Sequence, residues 1–135
     1  MSWSNSYIGI PWTREDHGRT GTHCWGLVRL VYAECLGLDV GDYGPACERA
    51  RVAELMRDGF GRWPWRRPPA GGKRQSFDIL VIERAGIDDH VGIVVTPDLM
   101  LHLPSGIGGE SLITAVADPR WKRRIVGHFR HEAAP

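Results

Sequence analysis

The sequence predicts an α+β fold in a single domain spanning 1–135, with N-terminal helices packed on a small antiparallel β-sheet. Helical apolar spacing is confined to the first half. Short strand-like runs separated by turn residues fill the second half, from Phe77 to Arg130. Helices first and strands later indicate segregated layers rather than alternating βα units. A chain of 135 residues is also long enough to bury a real core.

The helix that organises the chain is Thr22-His23-Cys24-Trp25-Gly26-Leu27-Val28-Arg29-Leu30-Val31-Tyr32. Cys24, Val28, Val31 and Cys35 recur at the spacing of one helical face, and Leu27, Leu30 and Leu36 widen it. Arg29 and Glu34 mark the wetter side, Thr22 is a candidate N-cap and Gly37 a candidate stop. A thiol at a helix start meets unbonded backbone N–H groups and the positive end of the helix dipole. Both favour the nucleophilic thiolate. Free cysteine is also a common core residue, so the position alone leaves a structural role open.

The stretch before this helix, from Ser6 to Gly21, reads as irregular, with a short apolar segment from Tyr7 to Trp12 ended around Pro11. Ala46 to Met56 has a narrow helical stripe (Val52, Leu55, Met56) expected to stop at Asp58-Gly59. Gly61 to Gly72 is rich in Trp, Pro and Arg, has no period, and reads as an ordered surface loop suited to an interface. The expected strands are 77–82, 89–95, 99–103, 112–116 and 125–130.

Two of these strands form a hairpin whose register can be derived. With a turn at 96–98, Val91 faces Leu103, Ile93 faces Leu101 and Val95 faces Leu99, all apolar and on one face. The other face then carries His90, Gly92, Val94, Met100 and His102. His90 and His102 become diagonal neighbours, their Cβ atoms about 7 Å apart, with Gly92 leaving room beside them. One imidazole could take a thiol proton while the second holds the first in its working tautomer. Two ordinary strand histidines would fit the same register.

Composition excludes several classes. A formal net charge of +1 asks for no nucleic-acid or anionic-membrane partner. The clusters Arg66-Arg67 and Lys122-Arg123-Arg124 read as solvated surface or interface rim. No stretch has the length of a membrane span, and the start lacks a secretory signal. Three cysteines with no C-x-x-C pair give neither a disulfide framework nor a zinc site, and suit synthesis in a reducing compartment. Along a helix, Cys24 and Cys35 would stand about 16 Å apart, too far for a disulfide. Six tryptophans suggest an aromatic-lined groove or interface.

Three segments together resemble the NlpC/P60 cysteine peptidases: Gly9-Ile10-Pro11-Trp12, His23-Cys24-Trp25-Gly26-Leu27-Val28, and His90-Val91-Gly92-Ile93 followed by Met100-Leu101-His102. The likeness is nearest to the variants coded in tail gene clusters of phages and gene transfer agents. It implies a papain-like core with an antiparallel sheet, no metal, and no cofactor. It implies Cys24 as nucleophile, His90 as general base and His102 as the residue orienting His90. Trp12, His23 and Trp25 would lie on the substrate side. Trp12 stands where members have Tyr, His23 where Asp is common, Trp25 where Ser is common, and Phe77 where the strand motif usually has Gly. The implied substrate is a peptidoglycan stem peptide, and the implied partners are tail-tip or hub proteins of a phage-like particle. Such a protein would be made in the host cytoplasm, carried in the virion tail tip and act at the cell wall. A structural tail protein with an inactive fold, or a related thiol acyltransferase, fits the same motifs.

Overall fold

The computed structural model describes residues 2–41, 57–69, 71–84, 86–106 and 108–135. The expected helix at Ala46–Met56 lies outside the described residues. Cys24–Val31 forms the α-helix α1, continued by one wide turn at Tyr32–Leu36 and ended by Gly37 with φ of 67°. The glycine stop is thus in place, because only a residue free of Cβ strain enters this left-handed region cheaply. The wide turn inserts extra rotation after Val31. Cys35 therefore leaves the apolar face on which the straight-helix spacing put it, and it is exposed.

Thr22 is not the N-cap. His23 takes that place with extended backbone, and its Nδ1 accepts from the Gly26 N–H at 3.2 Å. Thr22 instead donates its hydroxyl to Asp16 Oδ1 at 3.0 Å. Its carbonyl accepts from Thr13 N–H and its own N–H bonds Pro11 O, which forms a small parallel bridge between Trp12 and Thr22. The preceding segment contains two short 3₁₀ turns, Trp3–Tyr7 and Gly18–Thr20.

Six strands follow: β1 (Trp65–Arg66), β2 (Ile79–Arg84), β3 (Ile87–Thr96), β4 (Leu99–His102), β5 (Leu112–Ala115) and β6 (Ile125–His131). They form one antiparallel sheet in the order β1-β6-β2-β3-β4-β5. The edge strand β1 falls inside the Trp/Pro/Arg stretch expected to be loop. It is two residues long and borrows its pairing from β6, so no periodicity could announce it. Helical backbone is also present at 57–60, past the expected stop at Asp58-Gly59.

The β3–β4 register agrees with the derived one at three pairs: Gly92 with His102, Ile93 with Leu101, and Val94 with Met100. Nearer the turn the ladder shifts, and Thr96 rather than Val95 pairs with Leu99. The turn is shorter than expected, and an extra unpaired residue at Val95 restores the register beyond it. Leu99, expected on the core face, is 36% exposed.

The sheet carries a core on each face. Val91, Ile93, Val95, Leu101, Leu103, Ile79, Val81 and Phe129 join Leu27, Val28 and Val31 of α1 in the larger one. Leu80, Ile82, Val94, Met100 and Val116 form the smaller one, closed by Trp121 and Ile125. The alternation read in the sequence thus becomes two packed faces.

Strand β2 starts two residues later than expected. Phe77 has φ of 75°, outside the strand region, and Asp78 turns into a buried polar cluster. Arg130 holds Asp78 with two hydrogen bonds, Nε to Oδ1 at 2.8 Å and a second to Oδ2 at 2.9 Å. His128 and the Gln75 N–H complete the shell at 2.6 and 2.9 Å.

Candidate active site

Cys24 opens α1 as a partly buried thiol, outside any disulfide, at the margin of the larger core. The first helical hydrogen bond runs from Leu27 N–H to His23 O at 2.9 Å, and Gly26 N–H is taken by the His23 ring. A helix start offers its remaining N–H groups to an anion, so the local field favours a thiolate or an oxyanion beside Cys24. Because Nδ1 of His23 accepts, a neutral His23 carries its proton on Nε2.

The two strand histidines are joined. His90 Nε2 lies 2.9 Å from His102 Nδ1, and His102 Nε2 lies 2.9 Å from Thr114 Oγ1. Both rings are sealed from solvent. Trp121 lies across them, 5.8 Å from the His90 ring and 4.7 Å, edge-on, from His102. Burial lowers the proton affinity of both, and Arg84 opposes a positive charge on either. His90 falls well below the ordinary histidine range, by burial first and the neighbouring His102 second; His102 falls to about 4. Both rings are therefore neutral at pH 7.

His90 Nδ1 is buried without a hydrogen-bond partner among the described residues. A stranded buried nitrogen is costly, and such atoms concentrate where a structure does chemistry. Gly92 lets β4 pack closely beside the pair: a Cβ there would lie 3.0 Å from Met100 Sδ and 3.6 Å from His102 Cβ.

The structure brings His90 and His102 together, and it adds Thr114 and Trp121, which carried no motif in the sequence. No hydrogen bond joins Cys24 to His90 among the described residues. Strand alternation puts His90 and His102 on the face of Val94 and Met100, while Cys24 touches the larger core on the other face.

The expected substrate-side residues divide. Trp12 is partly buried and tied beside α1: its N–H bonds Gly109 O at 2.8 Å, and it bridges to Thr22, two residues before Cys24. Trp25 is a core residue, 1% exposed, packed edge-on against Phe60 and Trp65 with its indole N–H on Gly41 O at 2.8 Å. That burial corrects the expectation of a ligand surface at Trp25. His23 is likewise buried, and its ring serves the helix start. Among the described residues no cluster of His, Cys, Asp and Glu could hold a metal, and no helix is long and apolar enough to cross a membrane.

No protein-family model and no curated protein matches the chain. Solved structures do match, and they define the class of fold: NlpC/P60 domains, papain-like and α+β. The NlpC/p60 domain of the peptidoglycan hydrolase SagA superposes with a TM-score of 0.57 at 20% identity, over 84% of this chain and 83% of that one. A lipoprotein-like NLP/P60 family protein from Staphylococcus aureus gives 0.62 at 20%, over 93% of this chain but 37% of that chain. The P60 domain of an antigen from M. avium subspecies paratuberculosis gives 0.58 at 18%, over 96% and 89%.

Proposed function

We propose that the protein is a thiol-dependent peptidase of bacterial cell-wall peptides. The observation that carries this reading is the buried His90–His102 pair, in which His90 Nδ1 has no partner among the described residues, in a fold where Cys24 opens a helix. The name of one structural neighbour, a peptidoglycan hydrolase, supports the substrate class.

In this mechanism the Cys24 proton passes to His90 Nδ1, and the thiolate attacks a peptide carbonyl to give a thioester. The Cys24 backbone N–H at the helix start stabilises the oxyanion. His90 gives its proton to the leaving amine, then takes one from the water that hydrolyses the thioester. Cys24 and His90 lie on opposite faces of the sheet in the structure, so the step requires the start of β3 to rearrange until the two reach hydrogen-bond distance.

The test is digestion of purified peptidoglycan by wild-type protein and by Cys24→Ala and His90→Ala. Release of new amino termini by wild type alone supports the reading; equal release by Cys24→Ala rejects it. Alkylation of Cys24 as a function of pH tests the pairing directly. The His90→Ala profile should move to higher pH, and coincident profiles would reject His90 as the base.

We further propose that the particle is phage-like and the location its tail tip, with hub proteins as partners. The Cys24-Trp25-Gly26 sequence supports this, as does the exposed Trp63, 78% accessible, beside Arg62 in the turn that leads into β1. A second reading, a scaffold without activity, is favoured by the missing Cys24–His90 hydrogen bond. Particles assembled with Cys24→Ala separate the two: lost infectivity supports the enzyme, and retained infectivity supports the scaffold.

A further inference from the structure

We propose that Thr114 is a positioning residue that sets the tautomers of the histidine pair, and with them the direction in which His90 can take a proton. The inference rests on the reading of His90 as the base for Cys24.

His102 sits between two partners and has both ring nitrogens committed, Nδ1 to His90 Nε2 and Nε2 to Thr114 Oγ1, each at 2.9 Å. Thr114 is buried and pairs with Met100 across β4 and β5, so it is the diagonal neighbour of His102. Trp121 lies against both imidazoles, so the line of groups is a closed one. A neutral imidazole has one donor and one acceptor nitrogen. The line therefore has two proton arrangements.

In the first, His90 Nε2–H donates to His102 Nδ1, and His102 Nε2–H donates to the Thr114 hydroxyl oxygen. His90 Nδ1 is then a bare lone pair. When it takes the Cys24 proton, the Sγ–H bond breaks, an Nδ1–H bond forms, and no other proton moves. In the second, every donor is reversed: Thr114 O–H donates to His102 Nε2, His102 Nδ1–H donates to His90 Nε2, and His90 Nδ1 already bears a proton. That arrangement cannot accept the thiol proton.

A hydroxyl oxygen can receive the His102 Nε2–H; a methyl group cannot. With Thr114 present only the second arrangement strands a buried N–H, at His90 Nδ1, and the first strands only a lone pair there, the less demanding group to leave unpaired; in Thr114→Val each arrangement strands one N–H and one lone pair. The substitution therefore removes the preference for the arrangement that leaves His90 Nδ1 able to accept, and the pair divides between the two. Thr114→Ser keeps the oxygen and retains the first.

Long-range proton–nitrogen correlation spectra of the full chain labelled at histidine nitrogens, taken near neutral pH, report each tautomer directly. The expected wild-type pattern is protonated Nε2 and bare Nδ1 on both rings. The opposite pattern in wild type overturns the proposal without any variant being made. Thr114→Val should show a mixed pattern, and Thr114→Ser the wild-type one; a wild-type pattern in Thr114→Val also overturns it. In parallel, Cys24 alkylation near neutral pH should slow about twofold in Thr114→Val, as about half of the pairs lose the accepting His90 Nδ1, and recover in Thr114→Ser. If the spectra follow expectation while alkylation is indifferent both to Thr114→Val and to His90→Ala, the tautomer assignment stands and the thiol–imidazole reading fails.

Discussion

A Cβ built on Gly26 would lie 1.8 Å from the hydroxyl oxygen of Thr22 and 3.0 Å from the Asp16 carboxyl carbon. Thr22 is fully buried, and Asp16 also receives the Gly18 N–H and Arg29 at 2.9 and 3.2 Å, so neither neighbour can yield. The glycine in Cys-Trp-Gly is thus a requirement of packing at the helix start. Gly26→Ala in a free helix would gain about 1 kcal/mol. Here it should instead cost about 1–3 kcal/mol in urea unfolding, as overpacking does. Thr22→Ala/Gly26→Ala should be more stable than the sum of the single changes predicts.

The histidine pair makes stability pH-dependent. His102 titrates at about 4 in the folded protein, against about 6.5 in an unfolded chain. As pH falls below about 6.5 the unfolded state takes up a proton that the folded state refuses. This contribution is complete above about pH 6.5 and is lost between there and about pH 4, amounting to about 3 kcal/mol for His102. His90, depressed further, adds in the same direction. Unfolding free energies measured from pH 7 to 4 should fall steeply for wild type and less steeply for His102→Asn.

Asp78 gives the opposite chemistry. Burial pushes its carboxyl up, but hydrogen bonds from Arg130, His128 and the Gln75 N–H outweigh that and hold it below the usual carboxylate value. Its stabilisation is therefore present above the unfolded value near 3.9 and lost as pH falls through the lower folded one. Arg130→Met would leave a buried carboxylate without its bidentate partner and should cost about 3–5 kcal/mol. With the Arg130 bonds that lower Asp78 removed, the stability lost on acidification below about pH 4 should be smaller than in wild type. Asp78→Asn/Arg130→Met should recover part of the loss, and chemical denaturation across pH 3 to 7 measures both effects.

The parts of this fold visible in the sequence are those written in local periodicity. The α1 face was visible from Val28 and Val31, and the hairpin register from Val91, Ile93, Leu101 and Leu103. What escaped depends on backbone geometry or on groups far apart in sequence. Thr22 is the better cap former by type, yet the buried contact with Asp16 takes its hydroxyl and leaves the cap to His23. The extra residue at Val95 offset a shorter turn, so the pairing of the histidines was right although the turn was not. Thr114 is a lone threonine in a short strand, and nothing local marks it as the partner of His102. Trp25 looked available to a ligand only because sequence cannot show Phe60 and Trp65 closing over it.

Phe77 offers a test of strain against packing. Its φ of 75° lies in the left-handed region, where a Cβ costs about 1 kcal/mol or more. Its ring stacks on Trp3 at 4.6 Å between centroids and meets Tyr32 edge-on, while its carbonyl accepts the Tyr32 hydroxyl. The stacking holds a residue that the backbone disfavours. Phe77→Ala removes the ring and keeps the strain; Phe77→Gly removes both. Both variants should be less stable than wild type, since the lost aromatic contacts exceed the relieved strain. Thermal or urea unfolding should nevertheless rank Gly above Ala by about 1 kcal/mol, the reverse of their order at an ordinary position. Equal stabilities, or Ala above Gly, would mean that the backbone at 77 relaxes out of the left-handed region once the stack is gone, and that the Trp3 contact rather than the chain path into β2 imposes it.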